Sequence, residues 1–216
     1  MSEKYLLLYF DGPMQAWGYQ SRFNRRTSFS MPTKSGIVGI LAAALGVSRN
    51  DENRLEKIAS LNIEVYTLKP PFRWTDYHTV GGGHTLEEKM YIPPKVNKNS
   101  PDTVLTYREY LSDAKFGALL SGKNLLLEEC ERALKNPVWG IWLGRKCCIP
   151  ASPVCQGIFE SKEDAFALLR ERSNCHEIRK MIEVGSFEEG SDTLMDVPVN
   201  FATREYKPRR ICDEPI

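Results

Sequence analysis

One stretch, residues 31–46 with the sequence "MPTKSGIVGILAAALG", constrains the fold more than any other. Thr33 or Ser35 can serve as an N-cap, Gly46 is a C-terminal stop, and the helix between them is apolar on nearly all sides. A helix of that kind must be buried. The strand-like runs "YLLLYF" and "NIEVYTLK" flank it, with a short amphipathic helix, "DENRLEKIASL", before the second strand. The first seventy residues therefore predict a β-α-β unit around a core helix.

The second half of the chain predicts another such unit after an interruption. Between 73 and 115 the periodicity stops, and because long structureless loops are uncommon in compact domains we expect a long hairpin with its tip within 81–102. Then follow a strand at "FGALLSG", a helix capped by Asn124, a strand at "VWGIWLG", a helix capped by Ser161, and two strands at "HEIRKMIEV" and "DTLMDVPVNF". This order predicts an α+β fold of the β-α-β-β-α-β kind.

Bulk composition predicts an ordinary globular protein of one or two domains. The net charge is +1 over 216 residues, so no overall basic excess indicates a nucleic-acid binder. Six cysteines at irregular spacing do not form a disulfide framework, which favours a reduced, cytoplasmic protein. No apolar run approaches membrane-spanning length, and we expect no membrane association.

Local charge is far more uneven than the total. Residues 12–50 contain no acidic residue, where the average over the chain, 28 in 216, predicts about five. Near the C-terminus, "TREYKPRRI" carries four cations against Glu205. Either patch alone would be interpreted as a solvated surface, but two patches together favour a local site for an anionic partner. The cations in these patches are Arg22, Arg25, Arg26, Lys34, Arg49, Arg204, Lys207, Arg209 and Arg210.

Six motifs occur in order along the chain: "GPMQAWG", "MPTKSGIVGILAAALG", "TDYHTV", "TYREYLSDAKF", "WLGRKCC" and "FATREY". Together they resemble the CasD family of type I-E Cascade subunits, the fifth of the numbered CRISPR-associated families. The resemblance implies a ferredoxin-like, RNA-recognition-type domain with a long β-hairpin thumb. It also implies a non-catalytic subunit that grips the 5′ handle of CRISPR RNA and caps the backbone of an RNA-guided antiviral surveillance complex.

The same resemblance suggests domain boundaries and partners. The RNA-binding body comprises 1–72 and 116–160, the inserted thumb 73–115, and a small, β-rich C-terminal extension 161–216. The partners are the CRISPR RNA 5′ handle, the backbone subunit and the large subunit of the complex, with target DNA reached only indirectly. No cofactor and no metal are expected.

A single-stranded RNA end requires cations for its phosphates, aromatic faces for its bases and backbone amides for its bends. In "GPMQAWG", Gln15 can offer an amide to a base edge and Trp17 a stacking face, although Trp17 can equally pack beneath the loop as core. In the hairpin, Tyr77, His78 and Arg108 can contact RNA, whereas the structural alternative makes Tyr107 and Tyr110 cross-strand packing residues. The full predicted RNA-binding set is Gln15, Trp17, Arg22, Arg25, Arg26, Lys34, Ser35, Tyr77, His78, Arg108, Arg145, Lys146 and Arg204.

Two other functions compete with this hypothesis. A metal-independent endoribonuclease that processes precursor CRISPR RNA would need a general acid and base, which His78 and His84 could provide with Lys89, Tyr91 or Lys115 as partners. A metal-binding module could use Cys147, Cys148, Cys155 and His176, but the chain has no C-x-x-C pair and adjacent cysteines suit tetrahedral zinc poorly. Buried free thiols are the favoured interpretation of these cysteines.

Overall fold

A computed structural model of the protein describes residues 3–80, 104–173 and 177–216. Within these ranges there are four helices: α1 (Lys34–Ala44), α2 (Glu52–Ala59), α3 (Asn124–Lys135) and α4 (Lys162–Glu171). The strands in the same ranges are β1 (Tyr5–Asp11), β2 (Met14–Gln15), β3 (Trp17–Gly18), β4 (Arg25–Arg26), β5 (Ser28–Phe29), β6 (Asn62–Lys69), β7 (Phe72–Val80), β8 (Val104–Ser112), β9 (Lys115–Ser121), β10 (Cys155–Phe159), β11 (Arg179–Val184), β12 (Asp192–Asn200) and β13 (Glu205–Pro215).

The main sheet has seven strands in the order β10-β1-β9-β6-β11-β13-β12, and every neighbouring pair is antiparallel. The chain order β1, α1 and α2, β6, β9, α3, β10 supplies the first four of these strands. The α+β class predicted from the sequence is therefore confirmed, and these elements follow one another in the order β-α-β-β-α-β.

Strand β1 shows why its apolar run is continuous rather than alternating. Leu6, Leu8 and Phe10 enter the core cluster that contains α1, α2 and α3, while Leu7 and Tyr9 enter a second cluster with α4 on the opposite face. All five side chains are buried because both faces of the sheet are covered. Each such side chain stabilises the fold by about 1.5–3 kcal/mol relative to exposure.

Helix α1 is the buried helix that the sequence predicts. Thr33 is its N-cap and accepts a hydrogen bond from the Gly36 N–H, so the Thr33 alternative is correct and Ser35 lies inside the helix. The helix ends with Leu45 as the C-cap, and Gly46 follows at φ +66, the left-handed conformation that glycine favours after a helix.

Two predicted details of the second unit are wrong. The fourth strand of the β-α-β-β-α-β order is Cys155–Phe159, whereas the predicted strand at "VWGIWLG" consists of bends and irregular backbone. In this loop the N–H groups of Val138 and Trp139 donate to the carbonyls at the C-terminus of α1 and so cannot join a strand ladder. Asn124 is the first residue of α3 and not its cap, because Lys123 occupies the N-cap position without a side-chain hydrogen bond.

The C-terminal strands continue the main sheet, since β11 pairs with β6 as well as with β13. Strands β11 and β12 lie at the two predicted C-terminal strand positions, and α4 is capped by Ser161 as expected. A buried bidentate ion pair fastens this region to α1: Arg209 Nε and Nη2 donate to Asp196 at 2.7 and 2.9 Å, and Asp196 accepts from the Lys34 N–H at 2.7 Å.

Strands β7 and β8 form a hairpin with nine paired positions, from Phe72↔Ser112 to Val80↔Val104. The predicted tip, 81–102, lies outside the described residues. At its base the hairpin joins the 12–29 segment, because β8 also pairs with β2 and β4. In the described ranges we find no helix long and apolar enough to cross a membrane.

Candidate nucleic-acid interface

Two adjoining depressions form a groove across the N-terminus of α1. The smaller has a volume of about 340 Å³ and the larger about 510 Å³. The residues that line both come from α1, from the loop before Arg145, and from the turn between β12 and β13 with the start of β13: Ser35, Gly36, Gly144, Phe201, Arg204 and Tyr206. We call the two depressions together the basic groove.

The described charged residues that line the basic groove are all cations. Arg26 and Arg145 line its smaller part, Arg49 and Lys146 its larger part, and Arg204 both. Among the described residues that line either depression, none is Asp or Glu. The molecule as a whole is nearly neutral, so this concentration of positive charge gives the groove an attraction for an anionic polymer that the net charge does not reveal.

Exposed indole rings accompany these cations at the far end of the groove. Trp139 is 49% exposed and Trp142 is 37% exposed, and both line the larger depression. Single-stranded nucleic acids are bound by this combination of a cationic groove and aromatic faces on which bases stack. The sequence interpretation missed both residues because it placed them in a strand.

Gly144 fits two loops together at the centre of the groove. It has φ +96, and a Cβ at this position would lie 1.7 Å from the Ala16 carbonyl oxygen. The Ala16 N–H donates to the Leu143 carbonyl at 3.0 Å, and Leu143 and Cys148 close the following turn with their own backbone bonds. Glycine is therefore required here for close contact of the backbones as well as for the turn.

Gln15 is buried, and its amide group is bonded inside the protein. Its Nε2 donates to the Phe10 carbonyl at 3.1 Å and to the Ala114 carbonyl at 2.9 Å, while its Oε1 accepts from Trp17 Nε1 at 3.1 Å. The prediction that this amide contacts a base edge is wrong in this structure. Gln15 instead joins the end of β1, the start of β9 and β3.

Trp17 is also fully buried, so its predicted role as a stacking face is wrong and the core alternative is correct. Its ring meets Phe10 edge-on at 5.2 Å and lies directly under α1. A Cβ on Gly36 would approach this ring to 2.7 Å. Trp17 thus sets the position of the helix that forms one wall of the basic groove.

Of the two RNA-binding residues predicted at the N-terminus of α1, only one lines the basic groove. Lys34 is buried, its Nζ donates to Glu183 at 2.8 Å and its N–H donates to Asp196, so the prediction that its charge meets a phosphate is wrong. Ser35 lines both depressions, and its hydroxyl lies 3.2 Å from that of Thr33.

The predicted arginines between 22 and 26 form an exposed turn beside the groove. Arg26 lines the smaller depression, whereas Arg22 and Arg25 are exposed outside both depressions and exchange backbone hydrogen bonds with each other at 3.1 and 2.9 Å. The Arg25 guanidinium lies 5.7 Å from the centre of the Tyr107 ring.

Arg145 lines the groove as a cation and also links its loop to β4 and β8 by hydrogen bonds. Its Nη1 donates to the Glu109 carbonyl at 2.8 Å, its Nη2 donates to the Arg26 carbonyl at 2.7 Å, and its guanidinium covers the Tyr110 ring at 4.5 Å. Burial, followed by a hydrogen bond with Cys147, raises the pKa of the Tyr110 phenol. Lys146 is exposed and lines the larger depression.

The predicted hairpin residues lie away from the basic groove. Tyr77 is exposed and meets Tyr107 edge-on at 5.5 Å, while Arg108 Nε donates to Thr106 Oγ1 at 3.1 Å. His78 Nδ1 lies 3.7 Å from Asp76 Oδ2 on the other face of β7. The packing alternative for the two tyrosines of β8 is confirmed, since Tyr107 meets Tyr77 and Tyr110 stacks on Trp74 at 5.1 Å.

The competing site residues are only partly described. His84, Lys89, Tyr91 and His176 lie outside the described residues, and Lys115 Nζ lies 3.8 Å from Asp11 Oδ2. Within the described ranges no group of three or more His, Cys, Asp or Glu side chains could hold a metal ion. Burial raises the pKa of the Cys148 thiol to about 11, whereas Cys147 is exposed, contrary to the expectation that all these thiols are buried.

A family model described as "CRISPR-associated protein (Cas_Cas5)" matches residues 5–212. The chain belongs to this CRISPR-associated family. This chain is 28% identical over 224 residues to the CRISPR system Cascade subunit CasD of Escherichia coli (strain K12), with 94% of each chain covered. It is thus a homologue of that subunit.

Two solved structures agree with the family assignment. A chain of a CRISPR RNA-guided surveillance complex matches with a TM-score of 0.80 and 29% identity, covering 98% of this chain and 89% of that one. A structure described as a Cas protein matches with a TM-score of 0.71 and 29% identity, covering 98% and 94%.

Proposed function

We propose that this protein is a non-catalytic Cascade-type subunit that binds the 5′ handle of CRISPR RNA in the basic groove and caps the backbone of the complex. The observation that carries the proposal is the groove itself, in which five cations and two exposed indoles line one depression system without a carboxylate among its described lining residues. The similarity to CasD and to a chain of an RNA-guided surveillance complex supports the choice of RNA.

The arrangement of the groove suits a bent single strand. Arg26 and Arg204 stand at the smaller depression for phosphates, and Arg49 and Lys146 continue the positive charge into the larger one. Bases that turn inward at the far end would meet the Trp139 and Trp142 rings. Cations thus set affinity and position, and stacking holds the unpaired bases.

The β7–β8 hairpin is the proposed thumb. Its base is fixed to the body by β2 and β4, which both pair with the edge of β8 opposite β7, while the pairing of β7 with β8 runs on to Val80↔Val104. A strand pair anchored in this way can carry its distal part beyond the body, where it would lie between the RNA and a neighbouring backbone subunit. Contact with the large subunit, and through it with target DNA, belongs to the same proposal.

The central experiment isolates the tagged protein from its host and sequences the RNA that accompanies it. We expect short RNAs that share a repeat-derived 5′ end. An RNA-free protein, or RNA without a common end, would contradict the proposal.

A charge-reversal pair tests the groove directly. The triple variant Arg49→Glu, Lys146→Glu and Arg204→Glu should weaken RNA binding and reduce the log–log salt slope by roughly 0.7 for each lost phosphate contact. The matched control, Lys123→Glu, Arg132→Glu and Lys135→Glu, makes the same change in net charge on and beside α3, outside the groove. Equal losses in the two variants would indicate a general charge effect and no groove.

The thumb is tested by shortening it. Because Val80 pairs with Val104, residues 81–103 can be replaced by Asn-Gly, which closes a two-residue hairpin turn. The body should stay folded by circular dichroism while incorporation into the complex is lost. Full incorporation of the shortened protein, with normal interference, would refute the thumb.

A further inference from the structure

Phe23 is the most exposed large apolar side chain among the described residues, with 91% of its surface accessible. It stands between two arginines in the sequence "RFNR", at the tip of the turn formed by residues 22–25. Exposure of a whole phenyl ring costs hydrophobic free energy that a polar residue at the same position would not. The position therefore calls for an explanation outside the folded chain.

The backbone at this tip is strained as well as exposed. Phe23 has φ +49, and a bulky residue in the left-handed region is an outlier. It is the first of two central residues in a tight hairpin turn, where glycine, asparagine and aspartate are strongly favoured. Strain of this kind persists only where the surroundings impose it, and it concentrates at functional sites.

The surroundings do impose it. The Arg22 and Arg25 backbones exchange hydrogen bonds at 3.1 and 2.9 Å, and the Tyr107 N–H donates to the Asn24 carbonyl at 2.8 Å. Strand β4 then pairs in parallel with β8. The turn is thus fixed to the base of the hairpin on one side and leads into the groove through Arg26 on the other.

We propose that Phe23 is a stacking residue for one unpaired base of the bound RNA, presented by the Arg22–Arg25 turn where the strand passes the edge of the basic groove. The inference rests on the proposed function and adds a contact outside the groove. The exposed guanidinium groups of Arg22 and Arg25 would hold the phosphates on either side of that base, since residues 12–50 carry no acidic side chain to compete for them. That chemistry fits a nucleic acid better than an apolar protein surface, which would leave both arginines desolvated.

The test combines affinity with a fluorescent base. Purified protein and, in parallel, the assembled complex are titrated with short single-stranded RNAs that each carry 2-aminopurine at one position. For one position, binding should quench the fluorescence, and Phe23→Asn should restore it and weaken binding roughly 5- to 150-fold, the loss expected for one aromatic–base stack. Phe23→Tyr and Phe23→Trp should keep both quenching and affinity.

Two controls separate stacking from folding. Asn tolerates the left-handed region, so Phe23→Asn should unfold at the same temperature as the original protein or higher. Gln20→Asn relaxes a second left-handed residue, φ +51, without removing a ring, and should not change RNA affinity.

The outcomes are distinguishable. If Phe23→Asn binds RNA as well as the original protein while the Arg49, Lys146 and Arg204 reversal abolishes binding, the stacking role is refuted and the proposed function stands. If Phe23→Asn weakens only assembly with protein subunits, Phe23 is a protein contact and the inference is likewise overturned. If the original protein binds no RNA, alone or assembled, the proposed function and the inference fail together.

Discussion

The two halves of the segment from 12 to 26 are both predicted from the sequence to bind RNA, but they behave oppositely in the structure. Gln15 and Trp17 are buried and satisfied by bonds inside the protein, whereas Arg22 and Arg25 stand in solvent on an exposed turn. The first half builds the wall of the basic groove, and the second half is available to a partner. A residue type suited to RNA binding therefore does not reveal whether the fold leaves it free to bind.

Burial beneath α1, and not position in the sheet, explains the difference. In the first half, the side chains of Gln15 and Trp17 bond to each other and pack against the body and α1, which encloses them. Among the described strands, β2 and β4 both pair only with β8, so both lie at an edge of the small sheet. An edge strand exposes one side, and cations on it also protect the edge from pairing with another chain.

The strongest way to break the comparison is to exchange two indoles for alanine, the buried Trp17 in the first half of the segment and the exposed Trp139 in the groove. Trp17→Ala should lower the free energy of unfolding by about 3–5 kcal/mol, because it empties a site packed against Phe10 and Gly36. Trp139→Ala, at a half-exposed site, should change stability by less than about 1 kcal/mol and weaken RNA binding. Denaturant unfolding and RNA titration measure the two effects. A small loss for Trp17→Ala would place it outside the core.

Gln15→Ala should have the next largest effect. It leaves the Phe10 and Ala114 carbonyls and the Trp17 indole N–H without their partner, and unsatisfied buried groups cost about 1–3 kcal/mol each before relaxation. We expect lower stability and, for the molecules still folded, equal affinity for handle and scrambled RNAs. A selective loss for the handle would restore the base-reading role that the burial of Gln15 contradicts.

Reversal of Arg22, Arg25 and Arg26 to Glu should leave stability nearly unchanged, within about 1 kcal/mol, because these side chains are wholly or partly exposed. The salt dependence of RNA binding should become flatter by roughly 0.7 in log–log slope for each lost phosphate contact, on handle and scrambled RNA alike. An unchanged slope would show that the exposed half of the segment is also unused.

His78→Ala should have the smallest effect. In a non-catalytic subunit the length of mature CRISPR RNA in the host should not change, whereas loss of a general acid or base lowers a rate by about 10² to 10⁴. Incubation of the purified protein with precursor repeat RNA in EDTA supplies the complementary test. Single-site cleavage that His78→Ala or His84→Ala abolishes would make the protein a processing nuclease.

Local patterns were sufficient for the elements whose partners are near in sequence or are simply apolar. Strand β6 has the predicted bounds, 62–69, and the caps Thr33 and Ser161 were identifiable from residue type and position. The cations Arg145, Lys146 and Arg204, predicted from two separate motifs, all line the basic groove.

The wrong predictions concern side chains whose hydrogen-bond partners are distant in the sequence. Gln15 bonds to Ala114, 99 positions away, and Lys34 bonds to Glu183 and Asp196, 149 and 162 positions away. No window along the sequence contains such partners. Trp139 and Trp142 were missed for a related reason: their loop is held by the C-terminus of α1, and its apolar content alone is typical of a strand.

The bidentate pair of Asp196 and Arg209 couples the stability of the C-terminal strands to that of α1, because Asp196 also bonds to the Lys34 N–H. Both side chains are 2% exposed, and removing one partner of a buried pair destabilises a protein by about 3–5 kcal/mol. Since the Lys34 N–H that bonds to Asp196 of β12 belongs to the first turn of α1, this turn cannot open without disturbing the C-terminal strands. Native-state hydrogen exchange should show α1 and β12 opening as one cooperative unit, and a fragment that ends before β11 should fail to order the wall of the groove although it retains every residue of α1.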